Sequence, residues 1–313
     1  MKTRRNRPTD ILCAGELLID LISTDYAASF DEVSNFQRLQ GGSPANLCMN
    51  MARLGNRTAL TATVGRDGMG SFLKNYVEKL GVDCRTVLQT DMPTTLILVT
   101  RTTQTADFEA YRGADCFISA TQMPISLLRN CSIFHTTCFA LSKKPAQTAI
   151  LRAAKKAAQL GCQLSMDANY AQKIWPDTKL ARQLVADYCG LGALLKVSEV
   201  DWERLYGTPI TDAEAAARHF IGLGAKAVCV TLGGDGAYVA SHAEGHFLPA
   251  RPVEVRDTTG AGDAFWSGFL TAWLDGHALL DCAKAARRMA EIKIGTFGVL
   301  PDELDRTEIY TDI

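Results

Sequence analysis

The chain has 313 residues, 47% hydrophobic and 21% charged, a composition that excludes a disordered, collagen-like or coiled-coil protein and allows one large core. Lysine and arginine number 33 against 34 aspartates and glutamates, for a formal charge of −1. With no field of one sign to gather phosphate backbones or anionic lipid, neither nucleic acid nor a membrane is expected as a partner.

The basic start, Lys2 to Arg7 with the twin Arg4 and Arg5, runs into Ile11–Ile22, where Glu16 and Asp20 interrupt the apolar residues. A signal peptide or membrane helix would not carry those charges, so the start reads as a solvated tail. Beyond it, short apolar runs predict strands at Ile11–Ala14, Thr58–Val64, Ser132–Thr136, Gln163–Asp167, Leu194–Val197, Ala227–Thr231 and Gly236–Ala240. Amphipathic stretches between them predict helices over Gly68–Leu80, Lys144–Leu160, Ala181–Tyr188 and Asp212–Leu223, with Gly81, Gly161 and Gly224 at cap positions. The alternation predicts a doubly wound α/β sheet flanked by helices. Leu17–Gln40 and Thr94–Phe117 break it and read as hairpin material. No Pro/Gly/Ser linker divides the chain, so 1–313 is read as one domain with a small β lid at about 17–40 and 94–117.

Ten cysteines lie singly among apolar neighbours with no Cys-x-x-Cys pair, which argues against a zinc or thioredoxin-type centre. They read as reduced core thiols, and a cytoplasmic location is expected. His242 and His246 have the spacing of helical metal ligands but flank Gly245 in what reads as a polar turn, so no metal is expected there. His135, His219 and His277 are isolated.

The most informative segment is Asp257–Thr258–Thr259–Gly260–Ala261–Gly262–Asp263. It leads into a helix bearing Phe265, Phe269 and Trp273 that stops at Gly276. Gly260, Ala261 and Gly262 would leave amides open at the helix N-terminus, where the helix dipole favours an anion. Asp263, in the first turn, would sit beside that anion, placed to take a proton from a hydroxyl. The same spacing also suits a structural turn in which Asp263 only complements the dipole. Gly41–Gly42–Ser43–Pro44–Ala45–Asn46 opens another helix, with Pro44 in its first turn and Gly55 past its end. The glycines let the backbone approach a ligand, and Asn46 offers a donor and an acceptor to a polyol. By itself that signal is weak. There is no Gly-x-x-x-x-Gly-Lys-Ser/Thr and no Gly-x-Gly-x-x-Gly after the first strand, which excludes a P-loop kinase and disfavours a dinucleotide fold.

Taken together, Gly41–Gly42 with Asn46, and the Asp257–Asp263 run, resemble the two signature segments of the ribokinase-like (PfkB) family of sugar kinases. The resemblance spans nearly the whole chain in order, through Gly15–Asp20, Val64–Gly70, Tyr111–Asp115, Asp167–Ala168–Asn169 and Thr231–Gly236. It implies an ATP:sugar phosphotransferase with a ribokinase-like α/β sheet and a β lid. It further implies Asp263 as catalytic base and Gly260, Ala261 and Gly262 as the anion hole. Asp20, Gly41, Gly42, Asn46 and Asn169 fall at sugar-binding positions, and Thr231, Gly233, Gly236 and Ser198 at nucleotide-binding ones. ATP and Mg²⁺ are implied, and the match at Asp257 implies a monovalent cation such as K⁺. Pairing of lid strands between subunits implies a homodimer.

The departures are specific. Where the family carries Asn/Ser-x-x-Glu near magnesium, this chain has Ser198 and the shorter Asp201, which would act through water. The arginine that some sugar-acid and fructose kinases place after Asp-x-Asn is Ala171 here, and Arg287 and Arg288 stand where an asparagine near adenine is expected. Arg112 reads either as a solvated lid residue or as a sugar contact. The most similar activity is phosphorylation of a primary hydroxyl of fructose, with 2-keto-3-deoxygluconate as the alternative substrate; a catalytically dead sensor is disfavoured by the complete Asp263 segment.

Overall fold

The computed structural model of the chain describes residues 7–102 and 107–313. Most of the expected basic tail, Lys2 to Asn6, and residues 103–106 of the second lid segment lie outside them. Thirteen strands are present among the described residues. They are β1 (Thr9–Ala14), β2 (Leu18–Tyr26), β3 (Phe36–Gly41), β4 (Thr58–Gly65), β5 (Asp83–Thr90), β6 (Leu96–Arg101), β7 (Asp107–Tyr111), β8 (Cys131–Thr137), β9 (Gln163–Asp167), β10 (Leu194–Ser198), β11 (Ala227–Thr231), β12 (Gly236–Ser241) and β13 (Gly245–Pro249). The helices are α1 (Ser43–Arg53), α2 (Gly68–Lys79), α3 (Ile125–Arg129), α4 (Ala146–Gln159), α5 (Thr178–Cys189), α6 (Glu199–Tyr206), α7 (Ala213–Gly222), α8 (Ala261–Asp275) and α9 (Leu279–Ile294).

Nine strands form the main sheet in the order β13-β12-β11-β10-β9-β8-β1-β4-β5. From β11 to β5 every pairing is parallel, and β12 and β13 add an antiparallel hairpin. Parallel strands need crossovers that cover both faces, so the central strands are apolar throughout: β4 and β8 are buried along their entire length. Helix α8 is buried from Ala264 to Leu274 and packs against α1 and α9. A helix apolar all round belongs inside, and this one brings its N-terminus to the carboxyl end of the sheet.

The lid is a second sheet ordered β3-β2-β6-β7, with a parallel β2–β6 pair between two antiparallel ones. This is the ribokinase-like fold the sequence implied. Several elements were not in the reading, α3 and α9 among them. β5 and β13 were not expected because both are edge strands mixing polar and apolar residues, and His246 therefore sits in a strand rather than in a turn. Helix α6 is short, and its capping box, rather than any apolar stripe, defines it.

Candidate active site

In an open parallel sheet, ligands meet the protein beyond the carboxyl ends of the strands. Here those ends deliver Gly15 and Glu16 after β1, Asp167 and Asn169 at and after β9, Lys196 and Ser198 on β10, and Thr231 and Gly233 at and after β11. The α1 and α8 N-termini close over them. Gly42, which caps α1, has φ 100°, and a Cβ there would stand 2.3 Å from the Glu16 carbonyl. Gly41 is constrained as tightly, because a Cβ would overlap the Asp20 carboxylate. Two consecutive glycines are what let the lid strand β3 turn into α1 directly beneath the lid.

The two helix starts meet at Asp263. Ser43 donates its hydroxyl to Asp263 Oδ1 at 2.6 Å and Asn46 donates Nδ2 to Oδ2 at 3.0 Å. Burial raises the Asp263 pKa above the ordinary carboxylate value, while Ser43, Asn46 and the nearby Lys196 ammonium pull against that rise. Ser43 was not singled out in the sequence, and its partner lies 220 residues away. Asn46, expected as a sugar ligand, turns its amide nitrogen to the carboxylate, so its carbonyl oxygen is the group left to face a polyol.

Gly260 caps α8 with φ 74°, a conformation that suits glycine. The expected cradle of three amides is modified: the Ala261 N–H already donates to the Thr258 carbonyl at 3.1 Å, closing the turn. Among the described residues, no protein acceptor takes the Gly260, Gly262 or Asp263 amides, which leaves these three at the positive end of the helix dipole. Beneath them lies a residue the reading missed. Lys196 is buried on β10, pairs with Asp167 Oδ2 at 2.8 Å, and its Nζ would be 3.2 Å from a Cβ on Gly262. A lone lysine in the apolar run Leu194–Leu195–Lys196–Val197 was the available signal.

A cavity of about 860 Å³ extends from this point. It brings Asn169, Ser198, Asp201, Thr231, Gly233 and Gly236 together with the Gly260–Asp263 turn. Its far wall is apolar, from Val253, Val255, Ala290 and Ile294, with Arg287 and Glu291 at the rim. Asp201 is committed locally: Oδ1 accepts from the Tyr170 amide at 2.8 Å, and Oδ2 from the Ser198 amide and hydroxyl at 2.9 and 2.6 Å. Gly236, at φ 119°, is demanded by the β12–β13 hairpin, where a Cβ would strike the Leu248 carbonyl at 2.2 Å. Asn169 carries a positive φ of 25°, an uncommon conformation for a residue with a side chain.

On the lid side lie the Asp20 and Glu16 carboxyls, with the Arg112 charge close enough to act on Glu16. Burial pushes Asp20 up to about 7 and Glu16 up to about 8. Arg112 is not a solvated lid residue. It folds under the lid and pairs with Asp115 at 2.5 Å, the two side chains 4% and 1% exposed, while donating to the Ser142 hydroxyl at 2.8 Å and lying 4.3 Å from the Phe139 ring centre.

Asp257, matched to a monovalent-cation position, accepts Lys293 Nζ at 3.2 Å and the Gly298 amide at 3.3 Å on Oδ2, and the Thr259 amide at 2.9 Å on Oδ1. Although burial opposes it, the Thr259 and Lys293 donors hold the carboxyl below its usual value. A tethered ammonium already fills the role of cation there, and the donor set does not fit a second one.

A buried carboxylate gripped between a polar pocket and a cavity that ends in open helix amides defines a phosphotransferase acting on small hydroxyl compounds. Residues 8–305 match the pfkB family carbohydrate kinase, and the chain belongs to that family. It is 33% identical over 295 residues to the ATP-dependent 6-phosphofructokinase of Thermoanaerobacterium thermosaccharolyticum, covering 94% of this chain and 90% of that one. Fructokinase-1 of Zea mays is 30% identical over 311 residues, covering 96% of each chain. The structure of Halothermothrix orenii fructokinase superposes with a TM-score of 0.78 at 29% identity, covering 93% of this chain and all of that one. The protein is a carbohydrate kinase. No helix among the described residues is long and apolar enough to cross a membrane.

Proposed function

We propose that the protein transfers the γ-phosphoryl group of ATP to a primary hydroxyl of a small neutral sugar, fructose foremost. The observation that carries this is the position of Asp263, whose two oxygens are aimed by Ser43 and Asn46 at the boundary between the lid pocket and the amide cradle. Asp263 takes the acceptor proton as the hydroxyl oxygen attacks phosphorus. The amides of Gly260, Gly262 and Asp263, with the Lys196 ammonium below, bear the charge on the moving group. Asp20, Asn46 and the Gly41–Gly42 backbone orient the sugar, and the apolar wall from Val253 to Ile294 packs the base of the nucleotide, whose phosphates run past Thr231, Gly233 and Ser198.

Magnesium fits this site as an ion that arrives with ATP. Among the described residues no three His, Cys, Asp or Glu side chains cluster to hold a metal, while Asp167, Glu199 and Asp201 border the cavity where a hydrated ion would stand. When bound, it supplies charge neutralisation between the phosphates.

The pocket chemistry favours a neutral sugar over a sugar acid. A carboxylate substrate would meet the Glu16 and Asp20 carboxyls, and Arg112, the residue that could clasp it in a bidentate pair, is engaged by Asp115. The 6-phosphofructokinase relative keeps fructose 6-phosphate as a second reading. A coupled ATP assay over fructose, fructose 6-phosphate, 2-keto-3-deoxygluconate, tagatose, ribose and nucleosides tests it; kcat/KM highest for a sugar acid would overturn the assignment.

A further inference from the structure

We propose that Cys131 and Cys162 are a reversible dithiol–disulfide couple, with Cys162 attacking a small peroxide and Cys131 resolving the product. The sequence gives no hint of the pair, because 31 residues separate the two and neither belongs to a Cys-x-x-Cys unit. The fold sets Cys131 at the first position of β8 and Cys162 just ahead of the neighbouring β9, with their Sγ atoms 3.5 Å apart. Closing that gap to a bond of about 2.05 Å asks each sulfur to move by roughly 0.7 Å, within reach of a χ1 adjustment.

Arg7 makes the pair unequal. Its Nη1 donates to Cys162 Sγ at 3.0 Å and to the Cys131 carbonyl at 2.9 Å, and its Nη2 donates to the Leu160 carbonyl at 2.6 Å. The guanidinium is thus fixed against one sulfur, in space kept open by Gly161, where a Cβ would meet Nη2 at 3.3 Å. The Cys131 thiol and Arg7 lower Cys162 below the ordinary thiol value against the opposing effect of burial, whereas Cys131 is pushed far up. In its thiol form Cys162 donates to the Leu128 carbonyl at 3.0 Å, and on ionisation its proton passes to solvent. Access is unequal in the same sense. Cys162 lines a cavity of about 460 Å³ with Gly161, Gln163, Lys226 and Trp273, while Cys131 is fully buried.

The chemistry balances with hydrogen peroxide as oxidant. The Cys162 thiolate attacks one peroxide oxygen, the O–O bond breaks, and the hydroxide that leaves takes up a proton, giving a sulfenic acid and water. Cys131 sulfur then attacks Cys162 sulfur, the S–O bond breaks, and a second water leaves with the Cys131 proton. Two thiols lose two electrons to one peroxide. Both cysteines lie at the amino ends of their strands, opposite the ends that carry Asp167 and Asn169, so the bond staples the base of the sheet and leaves the site unaltered.

The test uses the whole purified protein, titrated with hydrogen peroxide near neutral pH, alkylated and digested with and without dithiothreitol. The expected result is a single cross-linked peptide joining Cys131 to Cys162, reversed by dithiothreitol, formed before any other cysteine is lost and with kcat within twofold of the reduced protein. In Cys131→Ser, dimedone should label Cys162. Arg7→Gln should oxidise roughly fivefold more slowly, as the smaller thiolate fraction is offset in part by greater intrinsic nucleophilicity. Another cysteine oxidising first, or Arg7→Gln reacting at the wild-type rate, would overturn the proposal. If Cys131→Ser does not fold, the wild-type peptide map and the Arg7→Gln rate still decide it.

Discussion

Replacing Asp263 by asparagine tests the proposed mechanism most directly, and the structure says what the change leaves intact. The amide keeps one acceptor for the Ser43 hydroxyl, now 2.6 Å from Oδ1. It places an NH₂ where Asn46 Nδ2 now donates at 3.0 Å, so Asn46 must flip its own amide to restore a donor–acceptor pair. That rearrangement costs about 1 kcal/mol, or roughly fivefold in sugar affinity, since one hydrogen bond is exchanged and none is left unmade. The open amides of the α8 N-terminus are untouched. What disappears is the basic oxygen, and a positioned general base contributes about 10²- to 10⁴-fold, some 3–5 kcal/mol of barrier. The loss should therefore fall on kcat, with KM for ATP unchanged and KM for sugar raised only several-fold. Steady-state kinetics on folded protein, with sugar and nucleotide binding measured by calorimetry, separates the two. A variant retaining more than about a tenth of wild-type kcat would refute the mechanism, and a large rise in sugar KM at constant kcat would recast Asp263 as a binding residue.

Further outcomes follow from the same geometry. Because burial raises Asp263, and the base works only when ionised, the acid limb of the kcat profile should lie above the ordinary aspartate pKa of about 3.9; a limb at or below that value would contradict the assignment. Glu16, pushed up to about 8 by burial, favours the folded state below its unfolded pKa near 4.3, and that contribution is lost as pH rises through about 8. Thermal unfolding of the sugar-free protein should show Tm falling between pH 5 and 8, with a flatter profile in Glu16→Gln. Arg112→Ala would leave Asp115 buried and uncompensated, at a cost of about 3–5 kcal/mol by denaturant unfolding; a loss confined to sugar KM would restore the lid-contact reading. Activity should be equal in potassium and tetramethylammonium buffers, since Lys293 already meets Asp257, and Lys293→Met should lose activity that added K⁺ restores in part. Dimerisation through the lid would appear in light scattering as twice the chain mass, abolished by charged substitution at the exposed Tyr26 or Tyr111.

Most of the main sheet and both lid segments were legible because their patterns are local: continuous apolar strands, amphipathic helices and glycine caps. The glycine-rich starts of α1 and α8 were legible for a different reason, since positive φ and close backbone approach leave few residue choices. What could not be read were pairings across the chain. Ser43 is unremarkable until α8 brings Asp263 to it, and Lys196 is an oddity in a strand until β9 supplies Asp167. The solvated reading of Arg112 failed because sequence shows that an arginine is polar, not that Asp115 three residues on will bury it. The open amide at Ala261 was likewise misjudged, as only the closed turn with Thr258 shows it in use.

Strand β3 ends at Gly41, and α1 begins at Ser43, which already grips Asp263. The cover and the reacting carboxylate are therefore joined by a single residue, and that residue is locked against the Glu16 carbonyl. Strand β3 cannot shift without carrying the serine and asparagine that hold Asp263, so the position of the cover and the setting of that carboxylate are one mechanical variable. Lengthening the connection by one residue should let the cover move without disturbing the Ser43 and Asn46 hydrogen bonds to the carboxylate.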